Sequence, residues 1–205
     1  MKKILCLALF AAALAAVPRA AHSQAIKINL PYTLLGSPNI GAEVTVSQQL
    51  AINADFSWTP YIFKTRPFQS RITEDALRIM QVTGEVRYYV KPRYYYTNDM
   101  FDGFYVGPYV MYGMYNVGFA THKNPLDDKR YVGWGISGGA SIGYKFYLSR
   151  RFRLDLNVGI GLAHLQHDIH TLGADYAMVT LARDKTMLWF GPTKFGAHLV
   201  FNIFR

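Results

Sequence analysis

The densest group of chemistry-bearing residues is the stretch HLQHDIH, which holds His164, His167, Asp168 and His170. Imidazoles and a carboxylate this close together are candidate ligands for a divalent metal. The spacing argues otherwise. In a continuing strand successive side chains alternate faces, so His164 and His167 point to opposite sides. A shared metal requires the strand to end first; otherwise these are solvated histidines. A serine nucleophile needs a histidine on the same face, and no serine stands at a convincing spacing from one. The reading therefore assigns no catalytic residue, no metal and no cofactor. Should the protein prove to be an enzyme, His164 and His198 are the residues to substitute first.

A different chemistry is carried by charges at alternate positions. Lys27, Glu43, Asp55, Glu85, Arg87, Lys145, Arg153, Asp155 and Lys194 all lie on the polar stripe of segments that alternate polar and apolar. Most of the other residues on that stripe are Gly, Ser, Ala or Asn. Acids and bases in such a row form an ion-pair network if they share an enclosed interior. Lys194 in particular needs a carboxylate there, with Glu43, Asp55, Glu85 and Asp155 as candidates.

The elements that would position these groups follow from the period. VGWGISGGASIGYKFYL sets Val132, Trp134, Ile136, Ala140, Ile142, Tyr144, Phe146 and Leu148 on one side. Glycines, Ser137, Ser141 and Lys145 fill the other. That is the period of a strand, and so many glycines weaken a helix. The same test predicts eight strands near 25–34, 39–46, 50–60, 80–90, 103–115, 132–148, 152–166 and 188–204. Short connections alternate with long ones at 61–79, 116–131 and 167–187, and three of these long loops fall on one side.

An even number of antiparallel strands with long loops on one side is the pattern of an eight-stranded up-and-down transmembrane β-barrel. Glycine on the polar stripe suits a narrow lumen, where facing side chains compete for space. Threading the chain with its termini in the periplasm places Trp58, Trp134 and Trp189 at the outer rim. Tyr88, Phe104, Phe146, Phe152 and Phe201 fall near the inner rim. Two such belts are expected at two membrane interfaces.

Composition agrees with export to an envelope. Residues 1–23 carry two lysines, an apolar run from Ile4 to Val17 and small residues before Gln24, the pattern of a cleaved signal peptide. The barrel domain then occupies 24–205. The sole cysteine, Cys6, lies in that leader, so no disulfide is expected. Loss of Lys2, Lys3 and Arg19 with the leader takes the formal charge from +9 to +6. No basic run is interleaved with aromatics, which argues against a nucleic-acid partner. Anionic headgroups of outer-membrane lipids suit mild basicity better.

The last strand resembles the assembly signal of bacterial outer-membrane barrels. Lys194, Gly196, Leu199 and Phe201 in KFGAHLVF match it, which implies the barrel-assembly machinery as a partner. The chain also resembles a domain-of-unknown-function family of small bacterial outer-membrane barrels. PNIGAE at 38–43, EVRYY at 85–89, RYVGWG at 130–135 and GPTK at 191–194 carry that likeness. The resemblance implies a barrel in the outer membrane and no assigned activity; surface or fimbrial proteins are the partners it suggests. The expectation is a scaffold with a structural or surface-interaction role. The alternatives are an envelope lipid or small-molecule binder, lipocalin-like or with a lumen or loop-mouth site, and a lipid-modifying enzyme.

Overall fold

Every strand has a hydrogen-bonded partner on both sides, in the order β1 to β8 and back to β1, all antiparallel. The computed structural model describes residues 24–47, 49–64, 74–90, 102–118, 129–172 and 178–203. The strands are β1 (Gln24–Asn29), β2 (Asn39–Thr45), β3 (Leu50–Lys64), β4 (Glu74–Tyr89), β5 (Gly103–Gly118), β6 (Lys129–Tyr147), β7 (Phe152–Leu172) and β8 (Met178–Asn202). A one-turn helix, α1 (Leu30–Leu34), follows β1. The signal-peptide expectation for 1–23 lies outside the described residues, as do Phe204 and Arg205.

The ring closes where β1 meets β8. Ala25 faces Asn202 and Asn29 faces His198, while the Ile203 N–H donates to the Gln24 carbonyl at 2.8 Å. Closure removes the edge over these residues, whereas β8 from Met178 to Ala197 is paired with β7 and not with β1. Carried around the ring, the register returns displaced by about ten residues, a stagger that tilts eight strands by about 40°. This is an all-β, eight-stranded antiparallel closed sheet.

The first strand is shorter than the expected 25–34. It stops at Asn29 because Pro31 lacks the N–H that a ladder needs and suits the first turn of a helix instead. The Asn29 N–H is taken up by Asn39 Oδ1 at 2.5 Å. The other large difference lies at the end opposite the termini, here called the far end. The loops expected at 61–79, 116–131 and 167–187 are mostly strand. β3 to β8 run on to leave only 65–73, 119–128 and 173–177 between them, and these lie outside the described residues. Extended hairpins therefore stand where long loops were expected. At the termini end two of the three connections are tight, as at 148–151, where Leu148 and Ser149 both donate to the Phe152 carbonyl; the third, 90–102, lies mostly outside the described residues.

The faces are inverted relative to a protein that folds around an oily core. Ile52, Val110, Ile142, Ile160 and Phe195 stand outward and are 50 to 71% exposed. Arg87, Asn53, Ser141 and Asp155 are fully buried inside. Among the described residues the buried hydrophobic cluster is Ala51, Tyr89 and Tyr105. Trp58, Met80, Met114 and Trp134 face one another in register across four strands, all outward.

Candidate functional site: two halves of one lumen

In the termini half the lumen is filled by charge. Arg87 on β4 is the hub. Its Nε donates to Glu85 Oε2 at 2.7 Å, and its Nη1 donates to Glu43 Oε2 and Asp155 Oδ2, each at 2.8 Å. The guanidinium stands 4.3 Å over the Tyr105 ring. Lys145 Nζ reaches Glu43 Oε1 at 2.7 Å, Lys27 Nζ reaches Asp55 at 3.1 Å, and Lys194 Nζ reaches Glu85 Oε1 at 2.8 Å. Four cations, Lys27, Arg87, Lys145 and Lys194, thus face four carboxylates, Glu43, Asp55, Glu85 and Asp155. A neutral, fully paired cluster is the form in which charge tolerates burial, because each desolvated group has an opposite charge at contact.

The strand period explains the convergence. Glu85 and Arg87 are two apart on β4, and Lys145 and Asp155 face each other across β6 and β7. Lys27 and Gly41 face each other across β1 and β2, and Gly41 faces Asp55 on β3. A Cβ on Gly41 would lie 2.8 Å from Lys27 carbons, so glycine there makes room for the Lys27–Asp55 pair.

Neutral groups complete the cluster. Tyr89 Oη donates to Glu43 Oε1 at 2.7 Å, and Tyr105 Oη donates to Asp155 Oδ1 at 2.6 Å. Asn53 Nδ2 donates to Asp55 at 2.7 Å and to Glu85 at 3.2 Å. His198 lies 3.9 Å from both Asp55 and Asp155, with Asn157 at 3.3 Å from its Nδ1. Tyr89 shares the parity of Glu85 and Arg87, which is the sequence signal that marks it as an inward residue.

Arg153 does not join this cluster. It sits at the termini rim, where its Nε donates to Asp102 at 2.6 Å and its guanidinium stacks 4.3 Å from the Tyr147 ring. Asp102 belongs to a connection, so strand periodicity could not flag it.

The outer aromatic belt also needs correction. Trp58 and Trp134 stand outward, but Trp189 is on the lumen face. Trp189 pairs with Ala163, which is buried and inward. The cause is a bulge. The β7–β8 register runs Gly159 to Lys194 and then Ile160 to Pro192, so Thr193 is the extra residue. One extra residue reverses the parity of everything on its far side. The Trp189 ring lies against Gly191, where a Cβ would meet it at 3.1 Å, and Gly191 adopts φ +154°. At the termini rim Tyr88, Phe104, Phe146, Phe152 and Phe201 all stand outward, with the Phe152 and Phe201 rings 5.4 Å apart. In the assembly-signal stretch Lys194 and Gly196 face the lumen, Leu199 is half-buried, and Phe201 stands outward.

The far half of the lumen is open and apolar. A cavity of about 390 Å³ is lined by side chains that include Ile79, Met111, Val117, Leu165 and Trp189, with Gln81, Tyr115, Ser137 and Thr193 as polar members. Tyr109 separates it from the charged half; its hydroxyl bonds Thr193 Oγ1 and its ring lies 5.4 Å from Lys194 Nζ.

The histidine-rich stretch lies in β7 and its faces divide as expected. His167 is inward of Tyr131 and bonds Tyr115 Oη at 3.1 Å, whereas His164 packs outward on Trp134. Residues 139–143 spell Gly-x-Ser-x-Gly, which marks a nucleophile where it sits on a strand-to-helix turn. Here it runs through the middle of β6, and Ser141 is buried, bonded to Glu85 and at 3.2 Å to the Gly107 carbonyl. Its role is to anchor a carboxylate.

Fold and site together define a closed antiparallel barrel of eight strands with a charge-filled, neutral termini half and an apolar far half. No curated protein and no solved structure matches the chain. Residues 4–203 match the family described as protein of unknown function DUF3575, and the chain belongs to that family.

Proposed function

We propose that this is a small bacterial outer-membrane barrel, exported by its leader, that acts as a non-conducting scaffold and carries projecting hairpins outside the cell. The observation that supports this reading is the inversion of faces: large apolar side chains are exposed on every strand, and the charges are paired inside. In water that exposed surface would be an aggregation liability far larger than a few hundred Å²; in a bilayer it is the solvated face. About ten residues per strand cross the hydrocarbon layer when tilted, so β3 to β8, with 15 to 25 residues each, extend well past it. The outer-membrane lipids then meet the Trp58–Met80–Met114–Trp134 row. The barrel-assembly machinery reads the last strand, and the hairpins meet surface or fimbrial proteins. The filled termini half makes a pore the poorer reading.

The test is fractionation of the envelope followed by gel analysis with and without boiling. The scaffold reading expects outer-membrane material with a fast-migrating unboiled band that shifts on heating. A soluble periplasmic protein with no shift would overturn it.

A further inference from the structure

The far half of the lumen has a shape and chemistry that the scaffold role does not use. Its cavity, about 390 Å³, lies within the range of small-molecule pockets, roughly 300–1,000 Å³, and is more than twice the roughly 150 Å³ that admits benzene. Ile79, Met111, Leu165 and Trp189 make its walls apolar, and among the described residues no charged side chain lines it. Small residues keep it open: Gly113, Gly135 and Ala163 stand where larger side chains would fill the space. Among its polar members, Gln81, Tyr115, Ser137 and Thr193, one is buried with no partner. Ser137 is 5% exposed, lines the cavity, and its Oγ has no hydrogen-bond partner. An unpartnered buried hydroxyl is costly, and a ligand that supplies its partner recovers that cost.

We propose that the far half of the lumen is a binding pocket for a single-chain amphiphile that carries one neutral polar group, such as a hydroxyl or ester carbonyl. The apolar chain lies against Met111, Leu165 and Trp189, and the polar group bonds Ser137 Oγ. A charged headgroup is disfavoured at that depth, because Lys194, which follows the lining residue Thr193, is already held by Glu85. Each methylene buried improves affinity about fourfold. The proposal deepens the outer-membrane reading and rests on it for the direction in which the pocket opens.

Trp189 is the reporter. Protein folded in phospholipid bilayers, with Trp58→Phe and Trp134→Phe, retains Trp189 as its one tryptophan. Titration with 10-bromo-1-decanol is expected to quench it saturably. Ala163→Phe, which fills the cavity, abolishes the saturable phase; Met111→Phe serves the same purpose should Ala163→Phe lose the heat-shifted band. Ser137→Ala weakens binding of the bromoalcohol about threefold to tenfold and leaves 1-bromodecane unchanged. Quenching that rises linearly and ignores all three substitutions overturns the pocket. Bilayers of acyl-brominated phospholipid, with no alcohol added, distinguish the sources. Quenching of Trp189 there assigns the pocket to a chain of a bilayer lipid, and silence assigns it to a free amphiphile. The same lipids quench Trp58 and Trp134 in the matching single-tryptophan proteins. Their escape would overturn the membrane reading, and the direction of opening with it, whatever Trp189 does.

Discussion

The termini half of the lumen and the far half are built from the same eight strands and solve opposite problems. Near the termini the lumen is filled by paired charge: Arg87 touches three carboxylates, and Tyr89 and Tyr105 cap two of the same acids. At the far end many inward positions are small or apolar and about 390 Å³ is left unfilled. The boundary is Tyr109 with Thr193, where the bulge in β8 also reverses which residues face inward. The strands differ accordingly. The seam at the termini end uses the six residues of β1, whereas β8 runs for 25. The lesson is that stability is concentrated in one half, so that the other can hold space and reach beyond the sheet.

The comparison breaks most readily at Arg87. Arg87→Met removes the one cation that Glu43, Glu85 and Asp155 share in a buried site. Removing one partner of a buried ion pair costs about 3–5 kcal/mol, and the expected result is loss of most folded barrel in a urea titration of bilayer-folded protein. The next effect is steric. In Gly143→Ala the new Cβ overlaps the Tyr105 ring and lies 2.8 Å from the Leu156 carbonyl, which costs about 1–3 kcal/mol in the same titration. Gly84→Ala is its control: the position faces outward with nothing within 4 Å of a Cβ, and stability stays within about 0.5 kcal/mol. Tyr89→Phe removes one hydroxyl from Glu43, which keeps Arg87 and Lys145, so the loss is about 1 kcal/mol. Leu165→Ala in the far half is expected to cost less than about 1 kcal/mol, because it widens a cavity that already exists instead of opening a new one. A cost for Leu165→Ala equal to that of Gly143→Ala would erase the contrast between the halves.

The termini half was legible because burial on one face and exposure on the other impose period two. Lys27, Glu43, Glu85, Arg87, Lys145 and Asp155 could be read straight off the polar stripe. Tyr89 and Tyr105 were legible in parity but hidden by chemistry, since aromatic residues near strand ends suggest an interface belt. Trp189 was misread because a single unpaired residue, Thr193, shifts the parity of all that lies beyond it, and Gly191-Pro192 signals a bulge without showing which residue is extra. The far strand ends were missed for another reason. In ARDKTMLWF both faces of the hairpin are exposed, so neither face selects for apolar residues and the alternation disappears. Pro31 shortened β1 for a local reason, the missing N–H, that the apolar pattern of LPYTLL masks.

The central claim is that lipid lies outside this barrel and charge inside it. With Cys6 the sole cysteine of the chain, single cysteines can be placed along β6 at 138–146 and spin-labelled in bilayers. The account predicts oxygen accessibility that alternates with period two, with maxima at Ala140, Ile142, Tyr144 and Phe146 and minima at Gly139, Ser141, Gly143 and Lys145. A flat profile, or maxima at the odd-numbered positions, would contradict it.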